Sequence, residues 1–314
     1  MKRLAVLFAL GLMASFAFAA SKHEMAITVD GLPVAQSGRG ACGAGGLQVQ
    51  TLRLLEQFLR QKAPLTAFVV AGACPDLADV DRQTVLKLWQ DAGAELGSQT
   101  YSEPDLNTVD PAAFEADVMK ADQALRPLLG GQRLRYFRFP ELRTGPTPEV
   151  TARIARFLSS HGYTNAPVTI DNSDWMFSAV YSEALAKGEM ETVLHVKDDY
   201  VHYLETVVDF YEQRSLAVVG HEIPQILRLN ANRLNADLGA DLLTMLKRRG
   251  YKFITLTQAL KDPAYQLPDT YAGAKGISWI HRWSKTKGMS DQAEPPAPRW
   301  LEVEYSRLPK MNDR

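Results

Sequence analysis

Short apolar runs alternate along this chain with longer amphipathic ones. MAITV (25–29), LTAFVV (65–70), AEL (94–96), RYFRF (135–139), APVTI (166–170), LAVVG (216–220) and KFITL (252–256) read as strands. LQVQTLRLLEQFLRQ (47–61), DRQTVLKLWQDAG (81–93), PAAFEADVMKADQALRPLL (111–129) and NADLGADLLTMLKRRG (235–250) carry apolar residues at helical spacing. Strands separated by helices of ten or more residues form βαβ units and hence a parallel sheet. The expected class is α/β, a distorted (β/α) barrel of about seven parallel strands. In such an architecture ligands gather at the strands' C-terminal ends.

The organisation expected around that barrel has three parts. Residues 1–19, MKRLAVLFALGLMASFAFA, have two basic residues, an apolar run and a small-residue ending, the pattern of a signal peptide cleaved before Ala20. Residues 20–262 form the barrel, and residues 263–314, rich in Pro, Gly, Trp and charge, form a C-terminal extension that wraps it and frays at Asn312 to Arg314. No later stretch is long and apolar enough to span a bilayer, so the expected location is outside the inner membrane, periplasmic or secreted. Removing the leader takes two basic residues and no acidic ones, leaving 33 basic against 36 acidic, a balance of −3. That balance excludes the basic face of a nucleic-acid binder. Cys42 and Cys74, the only cysteines, form one disulfide in an oxidising compartment, or else stay as two buried thiols.

Five polar segments begin where a strand candidate ends: TVDGLP (28–33), GSQTYSEPDLN (97–107), FRFPELRTG (137–145), TIDNSDW (169–175) and ILRLNANRLNAD (226–237). They bring Asp30, Gln99, Glu103, Arg138, Asp171, Asp174, Trp175, Asn230 and Asn232 to the mouth of the barrel. Any one segment alone is ordinary loop and cap chemistry. Five in sequence, each at a βα junction, describe a site. Gln99 and Glu103 stand four apart, the spacing of a two-histidine metal clip on a helical turn, yet neither is histidine.

In these five segments the chain resembles the polysaccharide deacetylases, the NodB-homology carbohydrate esterases, and in particular an exported branch whose first motif is similar to TVDDLP. The resemblance spans roughly residues 25 to 260. It implies a distorted (β/α) barrel, a divalent metal held by Asp-His-His, and removal of acetyl groups from N-acetylated sugars or related amides and esters. Residue by residue, it assigns the general base to Asp30, the orientation of that base to Arg138, and a retained acidic position to Asp174 beside Trp175. The metal positions fall on Gly31, Gln99 and Glu103, and the general-acid histidine falls on Asn230.

Those departures remove the chemistry that the resemblance implies. A catalytic zinc needs about three protein ligands and a water. Glycine offers none, an amide oxygen is a poor neutral donor, and one carboxylate does not hold the ion. Without metal, bound water loses a pKa drop of roughly nine units, on the order of 12 kcal/mol for making hydroxide. An asparagine at the acid position forfeits another ~10²–10⁴ in rate. The expectation is therefore no zinc or other cofactor, an impaired or lost deacetylase, and a cleft that binds a glycan or another partner. Tyr101, Phe139 and Trp175 either stack on a sugar ring or pack the rim. The competing expectation is an active hydrolase of C–N or ester bonds, using Asp30 with Glu103 or a different ligand set; a purely structural envelope protein is the third. GRGACG (38–43) matches a dinucleotide turn literally but stands nine residues beyond Val29, which reads as a glycine loop. His221-Glu222 lacks the second histidine of a zinc helix, and no G-x-S-x-G elbow occurs.

Overall fold

The computed structural model describes residues 23–35 and 42–309. The leader with its cleavage site, most of the GRGACG loop and the terminal residues 310–314 lie outside the described residues. The described chain runs β1 (Glu24–Leu32), α1 (Ala44–Arg60), β2 (Leu65–Val69), α2 (Asp79–Asp91), β3 (Glu95–Ser98), α3 (Pro111–Leu128), β4 (Tyr136–Phe137), α4 (Pro148–Ser160) and β5 (Thr164–Asn165). It continues through α5 (Asp174–Lys187), α6 (Met190–Val219), β6 (Gln225–Asn230), α7 (Arg233–Arg248), β7 (Lys252–Ile254), α8 (Leu256–Ala259), α9 (Trp279–Thr286) and α10 (Arg299–Arg307).

All strands pair in parallel, in the order β5-β4-β3-β2-β1-β6, with β7 paired to the start of β1. Parallel strands covered by helices on the outside are buried on both faces, which is why β1 reads as an almost unbroken apolar run. The sheet curls into a half-barrel, and the chain leaving β5 bridges its two edges. Ala166 N–H still donates to Phe137 O of β4, whereas Ile170 pairs with Leu227 of β6. Residues 166–170 are thus the seam of a distorted barrel. The C-terminal segment pins that seam: Trp279 N–H donates to Val168 O at 2.8 Å and Ser278 Oγ to Thr169 O at 2.6 Å.

Two expected strands differ. APVTI is this irregular seam, with the regular pairing one step earlier at Thr164–Asn165. LAVVG is the last turn of α6, a 30-residue helix that ends at Gly220 with φ 90°. The run is β-branched and apolar, but the buried positions Val193, Val196, Tyr200, Leu204, Val207, Tyr211 and Val218 keep helical spacing right through it. The sixth strand is instead QILRLN, after Pro224, so His221 sits beyond a helix end and pairs with Asp262 on the surface at 3.1 Å.

Cys42 and Cys74 are joined as a disulfide, with Cα atoms 5.4 Å apart. The bond ties the residues before α1 to the loop after β2, beside the barrel mouth.

Candidate active-site cleft

β1 and β6 lie side by side with Thr28 opposite Arg228 and Asp30 opposite Asn230. Because side chains alternate along a strand, these four residues share the interior face. Arg138, at the end of β4, comes in from the other side. Asp30 is 1% exposed and lies between two guanidiniums: Arg138 Nε is 3.3 Å from one carboxylate oxygen, and Arg228 Nε is 3.3 Å from the other. Arg138 is fixed in turn by donating to Thr28 Oγ1 at 2.8 Å and by lying over the Phe68 ring. Neither oxygen of Asp30 reaches hydrogen-bond geometry with a protein group among the described residues, so charge rather than directed bonding holds it. Burial is the largest influence on Asp30 and raises its carboxyl; Arg138 and Arg228 oppose it, and Asp171 reinforces it. Burial likewise lowers Arg138 to about 10.

The other floor residue is Asp174, the first residue of α5. Its carboxylate accepts from Asn230 N–H at 2.7 Å, from Asn230 Nδ2, from Asn235 Nδ2 at 2.6 Å and from Asn232 Nδ2 at 3.3 Å. Asn235 accepts from Tyr200 OH at 2.7 Å, and Asn232 caps α7 by accepting from Asn235 N–H. Burial raises the Asp174 carboxyl, and the hydrogen bonds from Asn230, the charge of Arg228 and the bond from Asn235 oppose it. Asn230 is thereby spent as a donor to Asp174, and a carboxamide has no proton to transfer.

The segment GSQTYSEPDLN is a non-helical loop here, so its four-residue spacing does not make a clip. Thr100 and Glu103 both have left-handed backbones, with φ 70° and 53°. For a β-branched residue such as Thr100 that is a strained conformation of the kind found at binding sites. Gln99 points back to β1, where its Oε1 accepts from Gly31 N–H at 2.9 Å. Glu103 is at the rim, open to solvent on one side. Crowding by protein raises its carboxyl to about 7, with help from the charges of Asp30 and Glu141 and against Arg228.

Above this floor opens a cleft of about 830 Å³, lined by Gly31, Tyr101, Glu103, Asp171, Trp175, Arg228 and Asn230 among others. Trp175 is 47% exposed and meets Tyr305 of α10 edge-on at 5.0 Å. Tyr101 has Lys120 Nζ 3.7 Å from its ring centre. Phe139, expected as a sugar-stacking residue, does not reach the cleft. It is buried against Phe114 of α3 and Phe137, because alternation at the end of β4 turns Arg138 inward and both phenylalanines outward.

Arg228 was not singled out from the sequence. It contacts Asp30 and, through Nη1, Asp171 at 3.5 Å. Burial works against its charge, but Asp171, Asp30, Asp174 and Glu103 together outweigh burial and raise its pKa. Its signal was present: an arginine two residues before Asn230 on a buried strand must share that residue's face.

The residues present do not fit a catalytic zinc. Among the described residues no group of three or more His, Cys, Asp or Glu is placed to hold a metal ion. Asp30 and Asp171 are paired with arginines, Asp174 with asparagines, and Gln99 with the Gly31 N–H.

A half-barrel with these five segments in order at its mouth is the arrangement that the resemblance implies, and the comparisons point to the same family. The family model "Polysaccharide deacetylase" matches residues 19–166. The chain is 26% identical over 214 residues to a chitin deacetylase of Arthroderma benhamiae, an alignment covering 67% of this chain and 48% of the relative. It therefore spans about half the length of that curated relative. Among solved structures it is similar to the chitin deacetylase of Colletotrichum lindemuthianum, at 19% identity and TM-score 0.53, covering 77% of this chain and 89% of the other. It is also similar to a mutant of BA3943, described as a CE4 family pseudoenzyme, at 16% identity and TM-score 0.52, covering 76% and 67%. These structures share the fold. The chain is thus similar to the polysaccharide deacetylases, with the family match confined to residues 19–166. No helix among the described residues is long and apolar enough to cross a membrane.

Proposed function

We propose that this protein is an exported member of cell-envelope glycan metabolism in which metal-dependent deacetylation is lost and the former catalytic cleft binds a glycan. One observation carries the first half: Gln99 and Gly31, two positions where the resemblance calls for metal ligands, are hydrogen-bonded to each other. The glutamine oxygen that would face a cation is committed to a backbone N–H. The acid position supports the same reading, because Asn230 donates to Asp174. For the second half, the cleft keeps a large volume and an exposed indole at its edge, which suits a sugar ring. The leader-like residues 1–19 and the Cys42–Cys74 bridge support export.

Calorimetry with chitin and peptidoglycan oligosaccharides tests the binding. The expected result is measurable heat that Trp175→Ala removes while leaving the melting temperature nearly unchanged. Silence across a broad oligosaccharide panel counts against it. In the same preparation, zinc titration is expected to show no tight stoichiometric site.

A second reading has one observation in its favour. The Glu103 carboxyl is raised to about 7 in the neighbourhood of Asp30, and neighbouring carboxyls whose acidity the site shifts are the parts of an acid–base pair. Metal-independent hydrolysis would then appear as turnover in the presence of chelator, abolished by Asp30→Asn. Absence of turnover on N-acetylated sugars and acetyl esters under those conditions eliminates that reading.

A further inference from the structure

The carboxylates of this cleft outnumber its cations. Asp30, Asp171, Asp174 and Glu103 all act on Arg228, and only Asp30 and Asp171 on the other guanidinium, Arg138, which lies entirely below the floor. Arg228 is placed differently. Its backbone, on β6, the last strand in the sheet order, is paired to Thr28 of β1, its side chain is 15% exposed, and it both touches Asp30 and lines the open cleft. With Asn172 Nδ2 donating to its carbonyl oxygen at 2.7 Å, the strand carrying it is clamped to the TIDNSDW loop.

A charge fixed in this way does part of what a bound cation does. It neutralises buried carboxylates without a ligand sphere, and it repels any second positive charge brought within a few ångströms. We propose that Arg228 is the resident cation of the cleft, balancing the carboxylates that a metal ion would otherwise neutralise and thereby keeping divalent cations out. This rests on the reading that metal-dependent catalysis is lost, and it adds a cause: loss of ligands at Gly31 and Gln99 is accompanied by a built-in competitor. A methionine of similar length would leave the carboxylates facing one another. Asp171 is partly exposed, so an asparagine there would remove one negative charge at small structural cost.

The test uses thermal melting of the purified full chain, with zinc or chelator, for wild type, Arg228→Met, Arg228→Lys and the double variant Arg228→Met with Asp171→Asn. Wild type and Arg228→Lys are expected to melt alike and to ignore both additives. Arg228→Met is expected to melt roughly 10 °C lower, the scale of leaving buried charge unpaired. Zinc should restore several of those degrees, and Asp171→Asn should restore several without zinc. If Arg228→Met does not fold but the double variant does, charge balance is again the cause. The proposal is overturned if Arg228→Met melts like wild type, if zinc leaves a folded Arg228→Met unmoved, if Asp171→Asn lowers it further, or if the double variant also fails to fold. The two layers separate cleanly. A wild type stabilised by zinc and unloaded by chelator sinks both this proposal and the lost-metal reading. A zinc-blind wild type with an unaffected Arg228→Met sinks this one alone.

Discussion

The two sides of the barrel mouth are built differently. On the side made by β1, β3 and their loops, Thr100 and Glu103 hold strained left-handed backbones, Gln99 reaches Gly31 through a single side-chain bond, and the loop is otherwise tied by Tyr101 and Ser102 donating to Asp117 and by Glu103 N–H donating to Thr100 Oγ1. On the side made by α5, β6 and α7, one carboxylate gathers three asparagines and a backbone N–H, and the asparagines brace one another and Tyr200. The first side is where the resemblance places metal ligands and where this chain has changed them. The second is a polar core in its own right. Both walls depart from what the resemblance implies, at Gly31 and Gln99 on the first and at Asn230 on the second, but only on the second is the departing residue built into a satisfied buried network, which costs little to keep and much to break.

The contrast is broken most directly at Asp174. Asp174→Ala leaves the Asn230 N–H and three buried side-chain amides without their acceptor. The expected loss is roughly 3–5 kcal/mol in urea unfolding, the range for stranding a buried charged network. A loss under about 1 kcal/mol would mean that the network contributes far less than its bonds suggest. Next in size is the disulfide, which staples the strained side: its two cysteines are 32 residues apart, and replacing both with alanine should cost about 3–4 kcal/mol. Here the loss should fall mainly on the start of α1 and the loop after β2, read as faster amide exchange there than in α7.

Gly31→Asp comes third and asks whether the changed side can be changed back. A Cβ at residue 31 would lie 2.9 Å from Ala35 Cβ, on a backbone with φ 82°. The expected cost is about 1–3 kcal/mol in the same unfolding assay. The fourfold variant Gly31→Asp, Gln99→His, Glu103→His and Asn230→His is accordingly expected to be less stable than wild type. It should bind zinc weakly until Arg228 is also replaced, as followed by a zinc-competition dye. Tight zinc binding by the fourfold variant alone would show that the strained side tolerates a ligand set beside a fixed guanidinium.

The same division explains what could be seen from the sequence. Parallel strands and the order of the five motifs were legible because β1 and β2 are buried runs with unmistakable apolar content. The seam at residues 166–170 and the last turn of α6 were misread because LAVVG and APVTI have strand-like composition, while only helix periodicity over some thirty residues, or a bridge to a distant strand, tells what they do. Asp30, Arg138 and Asp174 could be assigned as a retained floor through resemblance, but their partners could not. That Gln99 bonds to Gly31, that Phe139 turns outward and that Arg228 stands among four carboxylates all depend on which face of a strand or loop a side chain takes. For Arg228, two residues before Asn230 on one strand, alternation holds that answer although the sequence reading did not draw it; for Gln99, in a loop with left-handed residues, no periodicity applies.

The smallest effect is expected at Glu103, and its sign is fixed. An ordinary glutamate carboxyl titrates near 4.5, and here it is raised to about 7. Between those values the folded protein holds a proton that the unfolded chain has released. Stability from this group is therefore fully present below about pH 4.5 and is lost as pH rises through about 7. Glu103→Gln mimics the protonated form at every pH, so relative to wild type it should gain stability on going from pH 5 to pH 8. The residue is open to solvent on one side, and screening holds the difference to roughly a few tenths of a kcal/mol. Urea midpoints of both proteins at the two pH values measure it. A variant that instead falls behind wild type as pH rises would mean that the Glu103 carboxylate is stabilised by Arg228 more than it is penalised by Asp30 and Glu141, and that the strained wall is electrostatically as well satisfied as the asparagine wall.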